Sequence, residues 1–572
     1  MSILPASVQL QRNYLQKEFT FSNWDDLAPH YNELLQRNLD SAAAIEQWLK
    51  DKSELDSVVE EESRWRYVRL TCYTNDESIK KSYTDFVNDI KPHLIEVRTK
   101  LNAKLLECPS LAALDKAQYA TFLAGLQASV KLQEEKNIEQ LRNLELKEQE
   151  YASITGNLSI EHEGKELTLP EAGNLLAEND RDLRETIYRK VQAARLAVAP
   201  QLEDLFDDLV RRRQEIAERA GFANYRDYRM TELVRVDYTP ADCMQFHESI
   251  RQSFLPLVNK LNRTRKNALG LEKLRPWDGE VDLNNAAPLK PFVDGKDLTN
   301  KTIECLEKID PYFAACLTRM QEMGRLDLDS RKGKAPGGYN MSLPETNVPF
   351  IFMNAASSVR DLITMVHESG HAVHSFLSAD LPLREYKDYP SEIAEVASMS
   401  MELFTMEHWQ LFFENEADYK RAKEQQFQRI ITIFPWVAII DRYQQWIYTN
   451  PGHTREQRLD AWKEIFSSFS SEEVDYSGLE ESVKYRWHAQ IHLFDYPFYY
   501  IEYAIAQLGA IAMWKQWKEK GAIAIENYKE SLKLGYSVGL PALFERAGVR
   551  FDFSPAYVQE LADFLEAEMN KL

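Results

Sequence analysis

Only 20 glycines and 22 prolines interrupt a chain of 572 residues, and this scarcity of turn formers limits the available folds more than any other feature. A chain built mainly of strands must reverse about every ten residues, and each reversal draws on glycine, proline, asparagine or aspartate. Between the breakers the chain is instead rich in Leu, Glu, Lys, Gln and Ala, which favour helix. Residues 30–150 read as long amphipathic helices, and 101–150 is almost free of breakers. The charge run Gln133-Glu134-Glu135-Lys136 fits the solvated face of such a helix. A mainly α fold is expected, with two small β elements. Leu158–His162 and Glu166–Leu169 alternate around Glu163-Gly164-Lys165, which predicts a short hairpin over 156–169. Gly333–Met353, with Gly337-Gly338-Tyr339 and the apolar run Pro349–Met353, is the second strand-like stretch. Residues 275–300 read as loop, and the chain after about 357 as helix again.

The length exceeds what one hydrophobic core usually serves. Two lobes are expected: an N-terminal helical lobe over 1–195 that includes the hairpin, and a catalytic lobe over 196–572, divided just before Ala199-Pro200. The formal net charge of −21 gives a field that repels polyanions, so no nucleic-acid partner is expected. Cys72, Cys108, Cys243, Cys305 and Cys316 are scattered and never spaced as CxxC, which points to a reducing compartment rather than a disulfide framework. The start, MSILPASVQLQRNYLQKEF, lacks a signal-type apolar core, and the most apolar run, Phe434–Ile440, is too short to span a bilayer. The expectation is a cytoplasmic protein with no membrane partner.

The chemistry gathers in three places. In the first, Ser358 and Asp361 can cap a helix on which Leu362, Met365, Val366, Ala372, Val373, Phe376 and Leu377 recur at helical spacing. His367 and His371 lie four apart on it, so both imidazoles face the same way one turn apart and can share a zinc ion. Glu368 lies between them, placed to reach a water at the metal rather than the metal itself. His374 extends the face, more in keeping with packing than with ligation. Zinc needs a third protein ligand and an open position. The second place, a helix from about Pro390, offers Glu392, Glu395 and Glu402, and a short connection would fold it back so that Glu395 lies about one turn in. The third is HAQIHLFDYPFYYIEY, His488 to Tyr503, with His488, His492, Tyr496, Tyr499, Tyr500 and Tyr503 in sixteen residues. Imidazole N–H and phenol O–H can steady a developing oxyanion, although an aromatic helix face is more often plain core.

Together these three segments resemble the M3 metallopeptidases, the group of thimet oligopeptidase and oligoendopeptidase F, and most of all the oligoendopeptidase F and Pz-peptidase branch. TMVHESGHAVHSF resembles the family's HExGHxxH segment, SEIAEVASMSMELF its third-ligand helix, and HLFDYPFYYIEYAIAQL the segment with the transition-state histidine and tyrosines. GKAPGGYN, PFIFMN, RPWD and AGFANYRDYRM are weaker matches, so the likeness runs over about 220–515. The resemblance implies two helical lobes around a deep central channel, a small β-sheet near the active site, and one zinc ion held by His367, His371 and Glu395. It implies Glu368 as general base, and His492 and Tyr503, with Tyr500, as oxyanion donors. Tyr496 and Tyr499 are alternatives to Tyr500, because Leu493-Phe494-Asp495 stands where thimet oligopeptidase has a glycine-rich loop. The activity implied is endopeptidase cleavage of short unstructured peptides. A dipeptidyl carboxypeptidase on the same site, or a non-catalytic zinc-containing helical scaffold, are the rival readings.

Overall fold

In a computed structural model of the protein, residues 12–132, 135–283 and 286–572 are described. The start of the chain through residue 11, and Gln133 and Glu134 of the charge run, lie outside them. The described residues are mainly α-helical, with five short strands: β1 Ser159–His162, β2 Lys165–Thr168, β3 Leu326–Asp329, β4 Tyr339–Met341 and β5 Phe350–Ala355. No helix among them is long and apolar enough to cross a membrane, and all five cysteines are free.

The chain forms two compact units, each assembled from separated segments. One comprises 1–130, 289–423 and 505–551, the other 131–288, 424–504 and 552–572. The expected division at 195/196 falls inside the second unit, in the last turn of helix Arg181–Ala197, just before helix Ala199–Arg219. Pro200 there occupies the first turn of the following helix, where its missing N–H costs nothing. Helical segments return to their own core after long excursions, so the units do not follow chain order.

In the first unit, Ala42–Cys72 is a 31-residue helix. Over 101–150, Lys91–Glu107 ends before Pro109, which opens a 3₁₀ turn, and further helices span Ala120–Leu132 and, in the second unit, Glu135–Thr155. The sheet order is β3-β5-β4, with β3 parallel and β4 antiparallel to β5. β5, as the central strand, buries all but Asn354, which is why its sequence reads as a continuous apolar run. β3 was not legible in the sequence: LDLD alternates, but it is only four residues long. The loop expected to run to residue 300 ends earlier, where Asp294 caps a helix over Gly295–Ile309.

In the second unit, β1 and β2 pair antiparallel as predicted, from Ser159↔Thr168 to His162↔Lys165. Glu163 and Gly164 both have positive φ, 51° and 74°, which a two-residue hairpin turn requires. Trp277 and Asp278 of the RPWD segment are buried, and Asp278 accepts hydrogen bonds from Arg181 and Arg184 at 2.9–3.0 Å.

Candidate metal centre and tyrosine cluster

The histidine helix spans Val359–Leu377 and is capped as the sequence predicts: Asp361 N–H donates to Ser358 Oγ, and Ser358 N–H to Asp361 Oδ2. The glutamate helix, Ser391–Met406, buries every residue from Val396 to its end. Buried on all sides, it is a core helix, and it lies directly against the histidine helix. Gly370 sets the approach. A Cβ there would come within 2.6 Å of both Ala397 O and Ser398 Cα, so any side chain would push the helices apart. That closeness brings the donors together. One ligand atom from each of His367, His371 and Glu395 lies within 4.8 Å of the others, the one such cluster among the described residues. Glu395 Oε2 is 3.2 Å from His367 Nε2 and 3.8 Å from His371 Nε2.

The second nitrogen of His367, Nδ1, meets Glu402 Oε1 at 2.7 Å. Glu402 thus orients a cluster member rather than joining the cluster, and Glu392 is buried on the same helix outside it. The electrostatics follow from burial and pairing. Burial opposes charge on His367, but Glu395 and Glu402 outweigh it and hold its pKa well above the usual value. Burial lowers His371 to about 4. Burial would raise Glu395, yet His371 and His367 bring it down to about 2. Glu368 is pushed up to about 7, chiefly by burial. His374 is fully buried and stacks on Tyr389, with ring centroids 3.6 Å apart, so it packs.

The sheet reaches the same helix: Asn340 Nδ2 on β4 donates to Glu368 O at 3.1 Å. The preceding loop, GKAPGGYN, is tied down by a buried lysine. Lys334 Nζ donates to Asp327 Oδ1 and O and to Asp329 O at 2.9–3.0 Å. Asn354 Nδ2 donates to Ala335 O and Gly337 O, and Gly337 adopts φ +99°, open to glycine alone.

In the second unit, His492 sits on the short helix Ile491–Phe494, ringed by tyrosines. Its ring centroid lies 4.7 Å from Tyr500, 6.0 Å from Tyr499, 6.1 Å from Tyr503 and 6.4 Å from Tyr496. Tyr496 is more than half exposed. Tyr499 and Tyr500 each pack edge-on to Tyr503, at 5.5 and 5.6 Å. Burial lowers His492 to about 4 and raises Tyr500 to about 12, so both are neutral over the physiological range. His488 stands apart: its Nε2 meets Glu203 Oε1 at 2.9 Å in a buried network with Arg458.

Three arginines hold the backbone of this segment. Arg213 donates to Leu493 O and Phe494 O, Arg229 to Pro497 O, and Arg235 to Phe498 O and the Glu502 carboxylate. Gln444 Oε1 accepts Phe498 N–H at 2.6 Å. Between these grips Phe498 is held at φ +66°, a conformation that a bulky residue adopts only when its surroundings impose it. The arginines give AGFANYRDYRM a physical sense, since Arg229 lies in it, but no spacing in the sequence links Arg213 or Arg235 to residues 493–502.

Two histidines flanking a glutamate on one helix, with a carboxylate from the next, are the HExxH metallopeptidase arrangement. The chain belongs to peptidase family M3: the sequence model of that family matches residues 174–563, and that of the peptidase M3 N-terminal domain matches 15–133. Oligopeptidase PepF of Bacillus subtilis (strain 168) is 25% identical over 321 residues, 56% of this chain and 47% of the relative. An oligoendopeptidase F homolog of Lactococcus lactis subsp. lactis (strain IL1403) is 25% identical over 339 residues, 57% of this chain and 53% of the relative. The chain thus spans about half the length of the curated relatives it matches. A solved structure of Pz peptidase A with inhibitor 2 matches with a TM-score of 0.85 at 26% identity, over 97% of this chain and 99% of that one. Oligoendopeptidase-F from Enterococcus faecium, 14% identical, shares the fold at a TM-score of 0.65 over 96% of this chain and 97% of its own.

Proposed function

We propose that this chain is a zinc-dependent endopeptidase that hydrolyses internal bonds of short, unstructured peptides. The observation that carries the reading is the meeting of His367, His371 and Glu395 within 4.8 Å, with Glu368 buried between the histidines. Two imidazole nitrogens and one carboxylate oxygen are a donor set that zinc takes in hydrolytic sites, leaving a position free. The Glu402 contact to His367 Nδ1 fits as well, since a ligating histidine commonly gives its other N–H to a carboxylate. One zinc per chain would be held by these three residues and would supply Lewis acidity for water and carbonyl.

The rest falls to the chain's own groups. Glu368, with a pKa of about 7 from burial, can take a proton from the attacking water and pass it to the leaving amine. His492 and Tyr503, with Tyr500 nearest to His492 of the four tyrosines, are hydrogen-bond donors suited to the oxyanion. An extended substrate can add its backbone at β4, an edge strand preceded by Gly337 and Gly338, which present no side chain. The relatives' names, oligopeptidase and oligoendopeptidase, support the substrate class.

The test is turnover of a peptide blocked at both ends, with and without chelator, in the wild type and in Glu368→Gln. The variant is expected to keep its zinc while kcat falls at least about 10²-fold. Wild-type turnover in Glu368→Gln, or in fully chelated protein, would reject the mechanism. Cleavage confined to peptides with a free C-terminus would instead make it a dipeptidyl carboxypeptidase.

A further inference from the structure

His367 and His488 each present one ring nitrogen to a carboxylate, at 2.7 Å from Glu402 and 2.9 Å from Glu203. His492 is different, because its Nδ1 lies 2.6 Å from the amide nitrogen of Gln490. The oxygen of that amide lies 2.9 Å from the indole Nε1 of Trp436. An indole N–H can only donate, so the amide must turn its oxygen to Trp436 and its NH₂ to the imidazole. That NH₂ can also only donate, which leaves Nδ1 to accept through its lone pair. A neutral imidazole that accepts at Nδ1 carries its proton on Nε2.

We propose that Trp436 and Gln490 form a fixed relay that locks His492 as the neutral Nε2–H tautomer, making Gln490 a positioning residue for an imidazole that can donate but not accept at Nε2. The other tautomer, and the imidazolium, would set N–H against N–H at Nδ1. Burial of the ring acts in the same direction, lowering its pKa to about 4. The choice of an amide over a carboxylate has a chemical consequence. A carboxylate on Nδ1 would favour the imidazolium and make the ring a base. An amide holds it uncharged with its N–H at Nε2, and a fixed N–H donor is what an oxyanion site needs throughout turnover. The consequence for turnover rests on the hydrolysis proposed above, whereas the proton placement does not.

The test is the ¹⁵N spectrum of histidine-labelled protein, with the His492 signals identified by their loss in His492→Ala. The wild type is expected to show the neutral Nε2–H tautomer, unchanged between about pH 5.5 and 8. The carboxylate introduced by Gln490→Glu can only accept, so Nδ1 must take a proton and the spectrum should change to Nδ1–H or imidazolium. Trp436→Phe leaves Gln490 in place but frees its amide to turn, and a mixture of tautomers is expected. An Nδ1–H signal in the wild type, or an unchanged Nε2–H signal in Gln490→Glu, would overturn the lock. With the tautomer reversed, kcat on the blocked peptide should fall roughly 10²-fold or more with KM little changed. Reversal with unchanged kcat would leave the lock standing and instead remove His492 from the proposed mechanism.

Discussion

Lys334 has a fully buried side chain with one carboxylate to balance its charge. Its ammonium lies 2.9 Å from Asp327 Oδ1 and beside the face of Phe352, and Arg331 reaches the same carboxylate from its more exposed side. Burial alone would raise the pKa of Asp327, but hydrogen bonds from Arg331, Lys334 and Cys72 bring it to about 2. Because the folded value is below the unfolded value of about 3.9, the stabilisation is present above about pH 4 and is lost as pH falls towards 2. Asp327→Asn should therefore cost about 2 kcal/mol at neutral pH and progressively less as the medium approaches pH 3. Thermal melts of both proteins across that range check it, and a difference independent of pH would mean the effect is steric. The lysine stands out in GKAPGGYN by composition, yet its partner strand β3 is too short for the sequence to reveal. The paired histidines were legible for the opposite reason, since ligands four apart on one helix need no knowledge of the fold. Periodicity offered Glu395 as one of three glutamates, and the family resemblance singled it out. What separates it from Glu402 is which way each faces a histidine, and periodicity does not encode that.

Helices and loops here are placed by single close contacts. Gly370 lets the histidine and glutamate helices approach until Ala397 O would lie 2.6 Å from any Cβ at that position. Gly370→Ala adds only one methyl group, but the atoms it meets are backbone and cannot rotate away. A loss of about 1–3 kcal/mol is expected, together with weaker zinc retention, because the helix separation sets the distance from Glu395 to the histidines. Calorimetry and metal analysis on the same sample would show both effects. Unchanged zinc affinity would mean that the donors do not depend on the crossing. The tyrosine segment is fixed differently, by arginines on its carbonyls. Arg235 and Glu502 are an almost fully buried pair, with side chains 3% and 5% exposed. Arg235→Met removes a buried counter-charge from Glu502, a loss typically of about 3–5 kcal/mol. It also frees Phe498 O, so kcat should fall while zinc remains bound, and a stable variant with full kcat would show that the clamp is dispensable. Helix starts such as Ser358–Asp361 and the hairpin turn at Glu163-Gly164 are local chemistry and could be read directly. The arginine clamp joins residues more than 260 positions apart and could not.

At the scale of the whole molecule, the proposed activity makes a claim about substrate size. If substrate pairs with β4 as proposed, only a segment already extended can do so, and a folded protein must open locally, at a cost of several kcal/mol for a stable core, before it can present one. A free peptide should be cut much faster than the same segment embedded in a folded domain. A side-by-side digest followed by mass spectrometry decides it, and equal rates would remove the restriction to short peptides. The mainly α character could be read from the scarcity of turn formers. The interleaving of the two units could not, because helical periodicity shows which face of a helix is buried but not which core receives it.

That interleaving has a bearing on biosynthesis. The glutamate helix is packed in part by late residues. Gly509 lies against Val396, where a Cβ would meet the valine methyl at 2.8 Å, and Tyr528 O–H donates to Ala397 O at 2.8 Å. Both units draw on segments beyond residue 504. A nascent chain that has just left the ribosome with His367, His371 and Glu395 therefore has all three donors but not the wall that fixes their spacing. Tight metal capture should coincide with emergence of the segments beyond residue 504 rather than with synthesis of the motif, so chains stalled before them would carry the histidines without an assembled site.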